Sequence, residues 1–156
     1  MLDLNIPGAQ PLRLRHLILD YNGTLARDGS LLEGVSERLK ILAEHLEIHI
    51  VTADTFGSVR TQIAHLPVQL AIIPPEKQAQ AKAAYIKNLG PANAVAIGNG
   101  RNDALMLQQA ALGIAVMQTE GAAMEALLAA EVVTSGIIDA LNLLIYPDRL
   151  KATLRL

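Results

Sequence analysis

Short apolar runs alternate with amphipathic stretches along the whole chain. Leu12 to Leu19 reads as a strand that closes on Leu17-Ile18-Leu19. Asp28-Gly29 supplies a tight turn between Leu25 and Leu31, which predicts a small hairpin beside that strand. Val35, Leu39, Leu42 and Leu46 recur at helical spacing. Glu47 to Thr52 reads as a second strand, Thr55 to His65 as a helix, and Val68 to Ile73 as a third strand stopped by Pro74-Pro75. Pro75 suits the first turn of a helix that carries Ala79, Ala83 and Ile86 on one face and ends at Gly90-Pro91. Ala94 to Ile97 is a fourth strand, followed by a helix that Asn102 or Asp103 can cap. Leu112 to Val116 is a fifth strand, Glu120 to Ala130 a helix, Glu131 to Thr134 a short strand and Gly136 to Ile145 a last helix.

Strands alternating with helices imply parallel pairing, with helices on both faces of the sheet. The fold class is therefore α/β, a three-layer Rossmann-like sandwich around a mainly parallel central sheet. A chain of 156 residues is expected to form one domain spanning 1–156. Half of it is hydrophobic, yet only Tyr21, Phe56, Tyr85 and Tyr146 are aromatic, so the core must be Leu, Ile, Val and Ala. A net charge of −2 leaves no basic footprint, and nucleic acid is not an expected partner. With no cysteine there are no ligands for thiolate zinc or iron–sulfur sites and no disulfides. No basic segment followed by an apolar stretch opens the chain, and no apolar run reaches the ~20 residues of a membrane helix. A cytoplasmic protein with no membrane partner is expected.

In sheets of this kind ligands bind beyond the carboxyl ends of the strands. Three polar clusters fall at that edge: Asp20-Tyr21-Asn22-Gly23-Thr24, Val51-Thr52-Ala53-Asp54 and Gly98-Asn99-Gly100-Arg101-Asn102-Asp103. Asp20 reads as a nucleophile toward phosphorus or, more plainly, as a turn-initiating aspartate. Thr52 offers a hydroxyl and nearby N–H groups to phosphate oxygens, or is a β-branched strand residue. Asp54 can cap the helix predicted after it. Asn99 and Asp103 carry oxygens suited to a hard cation such as magnesium, or form a Gly/Asn turn with a capping acid. The loop lacks the third glycine of a dinucleotide fingerprint. Lys77 and Lys82 both lie within reach of a charge-neutralising role, and each has the alternative of a solvated helix lysine. The four histidines show no metal-ligand spacing; His45 and His49 are four apart but a strand begins between them, so all four read as structural.

The ordered set resembles the haloacid dehalogenase-like hydrolase superfamily over nearly the whole chain: Asp-x-x-Gly-Thr after the first strand, Thr after the second, a lysine, then a Gly-x-Gly-x-Asn-Asp loop. Gly-Asn-Gly-Arg-Asn-Asp-Ala-Leu is most similar to the phosphorylation machinery of P-type cation ATPases. The resemblance implies that Asp20 is the nucleophile and a Mg2+ ligand, and that Asn22 gives the metal a backbone carbonyl. It implies that Thr52 holds phosphate, that Lys82 (or Lys77) neutralises it, and that Asp103 and Asn99 belong to the metal site. Gly23, Thr24, Ala53 and Arg101 are then assigned to substrate binding. Receiver domains also use Asp, Thr and Lys, but their phosphorylated aspartate follows a later strand. Two positions depart from the family pattern. Asn22 stands where phosphatases carry an acid/base Asp, and Asn99 where they carry a metal-binding Asp.

The resulting expectation is a magnesium-dependent phosphohydrolase that acts through an aspartyl-phosphate on a phosphate ester or anhydride, slowed by Asn22 and Asn99. The substrate would be a phosphorylated small molecule or a phosphoprotein. The alternative is a non-catalytic phosphate-binding regulatory module on the same scaffold. Only 31 residues separate Asp20 from Thr52 and 29 separate Thr52 from Lys82, which leaves no room for a cap domain. An open site predicts a homo-oligomer whose subunits cover each other's mouths. Apolar Ile138, Ile145, Leu150, Leu154 and Leu156 add to that motive unless the tail folds back on its own domain.

Overall fold

Leu17-Ile18-Leu19 lies at the centre of a six-stranded, all-parallel sheet. The structure is a computed structural model, described for residues 1–54 and 57–156. Its strands are β1 (Leu2–Leu4), β2 (Leu12–Leu14), β3 (His16–Leu19), β4 (Ala26–Arg27), β5 (Ser30–Leu31), β6 (Glu47–Thr52), β7 (Gln69–Ile72), β8 (Ala94–Gly98), β9 (Leu112–Val116) and β10 (Val132–Thr134). Its helices are α1 (Val35–Leu42), α2 (Val59–Ile63), α3 (Gln78–Leu89), α4 (Ala104–Gln109), α5 (Met124–Ala129), α6 (Ile137–Ile145) and α7 (Pro147–Leu154). The sheet order is β10-β9-β8-β3-β6-β7, and every neighbouring pair is parallel.

Strand periodicity divides the core between the two faces. Leu17, Leu19, Ile48, Ile50, Val95 and Ile97 pack with α1 and α6 on one side. Ile18, Val51, Ala96 and Ala115 face Ile86 of α3, Met106 and Leu107 of α4 and Ala126 of α5 on the other. Three layers result, as the alternation predicts.

Several boundaries differ from the sequence reading, each for a local reason. Leu12 to Leu19 is two strands. Leu12–Leu14 pairs antiparallel with Leu2–Leu4, while His16–Leu19 joins the parallel sheet. The predicted helix Thr55 to His65 is described only from residue 57, Thr55 and Phe56 lying outside the described residues. Helix α2 starts at Val59, after Gly57 in the left-handed region. Pro75 lies ahead of α3 instead of in its first turn, because Lys77 takes a left-handed φ of 57° immediately before the helix. Gly121, at φ 74°, delays α5 to Met124. Asp28 and Gly29 both have positive φ, the conformation a two-residue hairpin turn requires, and join β4 to β5. Beyond Pro147 the tail forms α7, buries Leu150 completely and returns to the N-terminal segment, where the Leu156 N–H donates to the Pro7 carbonyl. Ile138, Ile145 and Leu154 pack on the same core, so the chain covers most of that apolar surface itself. No helix among the described residues is long and apolar enough to cross a membrane.

Candidate active site

The central strand delivers Asp20 rigidly, because the sheet continues through it: the Asp20 N–H donates to the Ile97 carbonyl (3.0 Å). The chain then turns, with Thr24, Leu25 and Ala26 donating back to the Tyr21 carbonyl. Tyr21 is buried and its hydroxyl donates to the Gly29 carbonyl (3.0 Å), which ties the hairpin to this turn. Gly23 has φ +80°, and a Cβ there would meet Glu120 Oε2 at 2.5 Å and the Asn99 amide at 2.8 Å. A side chain is excluded on both counts.

Both oxygens of Asp20 are engaged. Lys82 Nζ donates to Oδ1 at 2.6 Å, and the Thr24 hydroxyl lies 3.0 Å from Oδ2 and 3.3 Å from Asn99 Oδ1. Lys82 also donates to Asp103 Oδ1 at 2.6 Å. Asp103 Oδ2 accepts the backbone N–H groups of Asn99 (3.0 Å) and Gly100 (2.9 Å). This acid therefore does not cap α4 with its side chain; it folds the glycine loop back on itself. Gly98 permits this, since a Cβ there would strike the Asp103 carboxylate at 2.5 Å.

Lys82 projects from the buried face of α3 and is 1% exposed. Burial works against its ammonium, but Asp20 and Asp103 outweigh it and hold the group above the ordinary lysine range. Burial, and then the like charge of Asp103, push the Asp20 carboxyl up to about 6, against the lowering effect of Lys82 and Thr24. Breaking a buried ion cluster by removing one member typically costs about 3–5 kcal/mol, because the remaining charge is left uncompensated. With Asp20 ionised, the two carboxylates exceed the one ammonium by a charge, and the cluster can hold a further cation.

Above Asp20 opens a polar cavity of ≈ 280 Å³, lined by Asp20, Asn22, Thr52, Ala53, Gln78, Asn99, Gly100, Asn102 and Glu120. The sequence-predicted residues are thus largely brought together. Thr52 is buried, and its oxygen accepts the Asp54 N–H (3.1 Å), while its hydroxyl hydrogen has no acceptor among the described residues. Asn22 Oδ1 is a buried oxygen with no partner among the described residues. Together with Asp20, Asn99 and Glu120 it gives the cavity an all-oxygen donor set, which fits a hard divalent cation. Asp103 is fully buried beneath the cavity floor. Lys82, not Lys77, joins the cluster; Lys77 is exposed. Arg101 does not line the cavity. Its guanidinium is exposed and paired with Glu125 (2.8 Å).

Sequence reasoning missed Gln118 and Glu120, in the loop after β9. Gln118 Nε2 donates to the carbonyls of Gly23 (2.9 Å) and Thr24 (2.8 Å), and its Oε1 accepts the Ile137 N–H (2.9 Å). It clamps the Asp20 turn to the start of α6. The rule that strand ends carry the site applies to β9 as it does to β3, and would have found both residues.

The sequence profile of the haloacid dehalogenase-like hydrolase family matches residues 76–136. An uncharacterised protein of Methanocaldococcus jannaschii is 51% identical over 61 residues, which are 39% of this chain and 66% of that relative, just under two thirds of its length. Among solved structures, the cobalt-bound deoxy-D-mannose-octulosonate 8-phosphate phosphatase of Haemophilus influenzae superposes with a TM-score of 0.73 at 16% identity, covering 91% of this chain and 93% of that one. The corresponding phosphatase of Moraxella catarrhalis, in complex with magnesium, phosphate and the sugar, gives 0.66 at 17% identity, covering 91% and 94%. A zinc-transporting PIB-type ATPase gives 0.59 at 22% identity, covering 78% of this chain and 20% of that one. Profile, motif order and fold agree: residues 76–136 match the haloacid dehalogenase-like hydrolase family, and the chain has the fold of those hydrolases.

Proposed function

We propose that this chain is a phosphohydrolase that takes the phosphoryl group of a phosphate ester or anhydride onto Asp20 and releases it to water. The observation that carries this reading is the state of Asp20: a strand-end carboxylate at the floor of an open polar cavity, held by Lys82 on one oxygen and by Thr24 on the other. In the first step a carboxylate oxygen of Asp20 bonds to phosphorus while the bond to the leaving oxygen breaks, and that oxygen takes a proton from solvent. In the second, a water oxygen bonds to phosphorus, the bond to Asp20 breaks and inorganic phosphate departs. Thr52 donates its hydroxyl hydrogen to a phosphoryl oxygen, and Lys82 holds Asp20 in place. Oxygens of Asp20, Asn22 and Asn99, with Asp103 beneath them, would hold magnesium, which when bound would offset the negative charge of the phosphoryl oxygens. The similarity to a phosphatase bound to magnesium and phosphate supports the choice of metal.

Asn22 has no proton to exchange near neutral pH, so turnover is slow. Glu120 on the cavity wall is the carboxylate left to accept the proton of the attacking water. A second reading, a phosphate-binding module that does not turn over, is favoured by Asn22 itself. We further infer that residues 1–156 act as one domain and that the open mouth is covered by a second copy. A screen of phosphorylated metabolites and phosphopeptides with magnesium separates the two functional readings. Hydrolysis in the wild type that is lost in Asp20→Asn supports the first. Phosphate binding without hydrolysis of any compound supports the second.

A further inference from the structure

At the opposite edge of the same sheet, where β3 and β6 begin, register brings three metal-ligating residues together. His16 pairs across from Glu47, and Ile18 across from His49. Strand periodicity then sets His16, Glu47 and His49 on one face, the face that α3 covers. His16 Nδ1 lies 3.2 Å from His49 Nε2 and 3.6 Å from Glu47 Oε2. One ligand atom from each of the three lies within 4.8 Å of the others. His16 and His49 are 8% and 1% exposed, while the Glu47 side chain reaches solvent. Four residues of strand separate His16 from Asp20, about 13 Å at ~3.3 Å per residue, so this cluster is distinct from the phosphoryl cavity.

We propose that His16, Glu47 and His49 bind a divalent transition-metal cation of the zinc class. Zinc takes histidine nitrogen and carboxylate oxygen at about 2.0–2.2 Å in a tetrahedron, which puts neighbouring ligand atoms about 3.3 Å apart. The His–His and His–Glu separations bracket that value before any metal enters. Two buried imidazoles with nitrogens facing each other share one hydrogen, and a metal replaces that contact at little rearrangement. His16 ligates through Nδ1 in the tautomer that carries its proton on Nε2. The outer contact already exists: His49 Nδ1 lies 3.0 Å from the Tyr85 hydroxyl, which can accept the Nδ1–H in the tautomer that presents Nε2 to a metal. Two nitrogens and one carboxylate suit zinc, cobalt or nickel better than magnesium. A metal here would join β3 to its neighbour β6 and reach solvent through Glu47, leaving the fourth position to water.

Cobalt titration in excess magnesium tests this, since magnesium fills hard-oxygen sites and does not compete for imidazole. The expected result is one equivalent of cobalt with the intense visible bands of a four-coordinate site, displaced by one equivalent of zinc. The bands vanish in His16→Gln and His49→Gln. In Glu47→Gln, whose exposed position leaves folding intact, cobalt binds at least tenfold more weakly. Tyr85→Phe weakens binding by about 10–100-fold, the usual effect of losing such an outer partner. Wild-type protein that shows only the weak bands of six-coordinate cobalt, or bands unchanged in Glu47→Gln and His16→Gln, would leave a hydrogen-bonded histidine pair only and overturn the proposal.

Discussion

At the residue scale the chemistry depends on how the charges of Asp20, Lys82 and Asp103 are apportioned. A carboxyl raised to about 6 holds its proton more tightly in the folded protein than in the unfolded chain. Its contribution to stability is therefore full below the unfolded value of 3.8 and is lost as pH rises through about 6. Above that pH the site gains a negative charge and with it the capacity to attack phosphorus. In metal-free protein, carboxyl-carbon NMR is expected to show Asp20 titrating near pH 6. Asp103→Asn lowers that midpoint, because it removes the like charge and turns Lys82 wholly to Asp20; a midpoint unmoved or raised would mean burial acts alone. Asn22 sets the second prediction. Restoring an acid by Asn22→Asp should raise hydrolysis by about 10²–10⁴-fold, the usual yield of general acid–base catalysis. A folded, metal-binding Asn22→Asp protein with an unchanged rate would show that Glu120 already supplies the proton acceptor.

At the element scale, the pieces carried by local pattern were legible and those carried by tertiary partners were not. Leu112–Val116 matches its apolar run end to end, because a fully buried parallel strand must be apolar on both faces, and Glu47–Thr52 matches its expected bounds through Ile48, Ile50 and Val51. The Asp28-Gly29 turn was legible because only such residues accept two consecutive left-handed conformations. The division of Leu12–Leu19 was hidden, since it depends on Leu2–Leu4 arriving beside the first half. Asp20, Thr52 and Asn99 were legible as strand-end residues. Asp103 was left open between a metal-site acid and a helix cap, because its side-chain partners, Lys82 and the backbone of Asn99 and Gly100, depend on the loop's fold. His16 and His49 sit 33 positions apart and meet only through strand register, which histidine spacing cannot show. Glycine placement gives the test at this scale. Gly23→Ala forces a Cβ into Glu120 and Asn99 at a φ of +80°, a backbone strain of about 1–3 kcal/mol. Urea denaturation should report that loss together with weakened magnesium binding. Undiminished stability would mean that the turn relaxes freely.

At the scale of the whole molecule, the absence of insertions around the cavity decides what remains to be explained. Between β3 and β6 the chain holds only the β4–β5 hairpin and α1, and the cavity opens directly to solvent. Phosphoryl chemistry favours exclusion of water, and a neighbouring subunit is the simplest cover. The tail offers no help, since α7 spends its apolar face on its own core. Met124 and Leu128 of α5 are 63% and 82% exposed, and Ala123, at the head of that helix, donates its N–H to the Asn99 carbonyl. An apolar surface beside the mouth is where a second copy would seat. Light scattering at micromolar protein should find a closed oligomer that Leu128→Glu dissociates. A monodisperse wild-type monomer of 16.7 kDa would refute the assembly.

The central claim is that Asp20 carries the phosphoryl group, and covalent trapping tests it most directly. Protein incubated with magnesium and acetyl phosphate, quenched in acid and reduced with borohydride converts an aspartyl-phosphate to homoserine, which peptide mapping locates. Homoserine at position 20, and its absence in Asp20→Asn, is the predicted result. Homoserine at another aspartate, or hydrolysis that proceeds with none trapped at position 20, would contradict it.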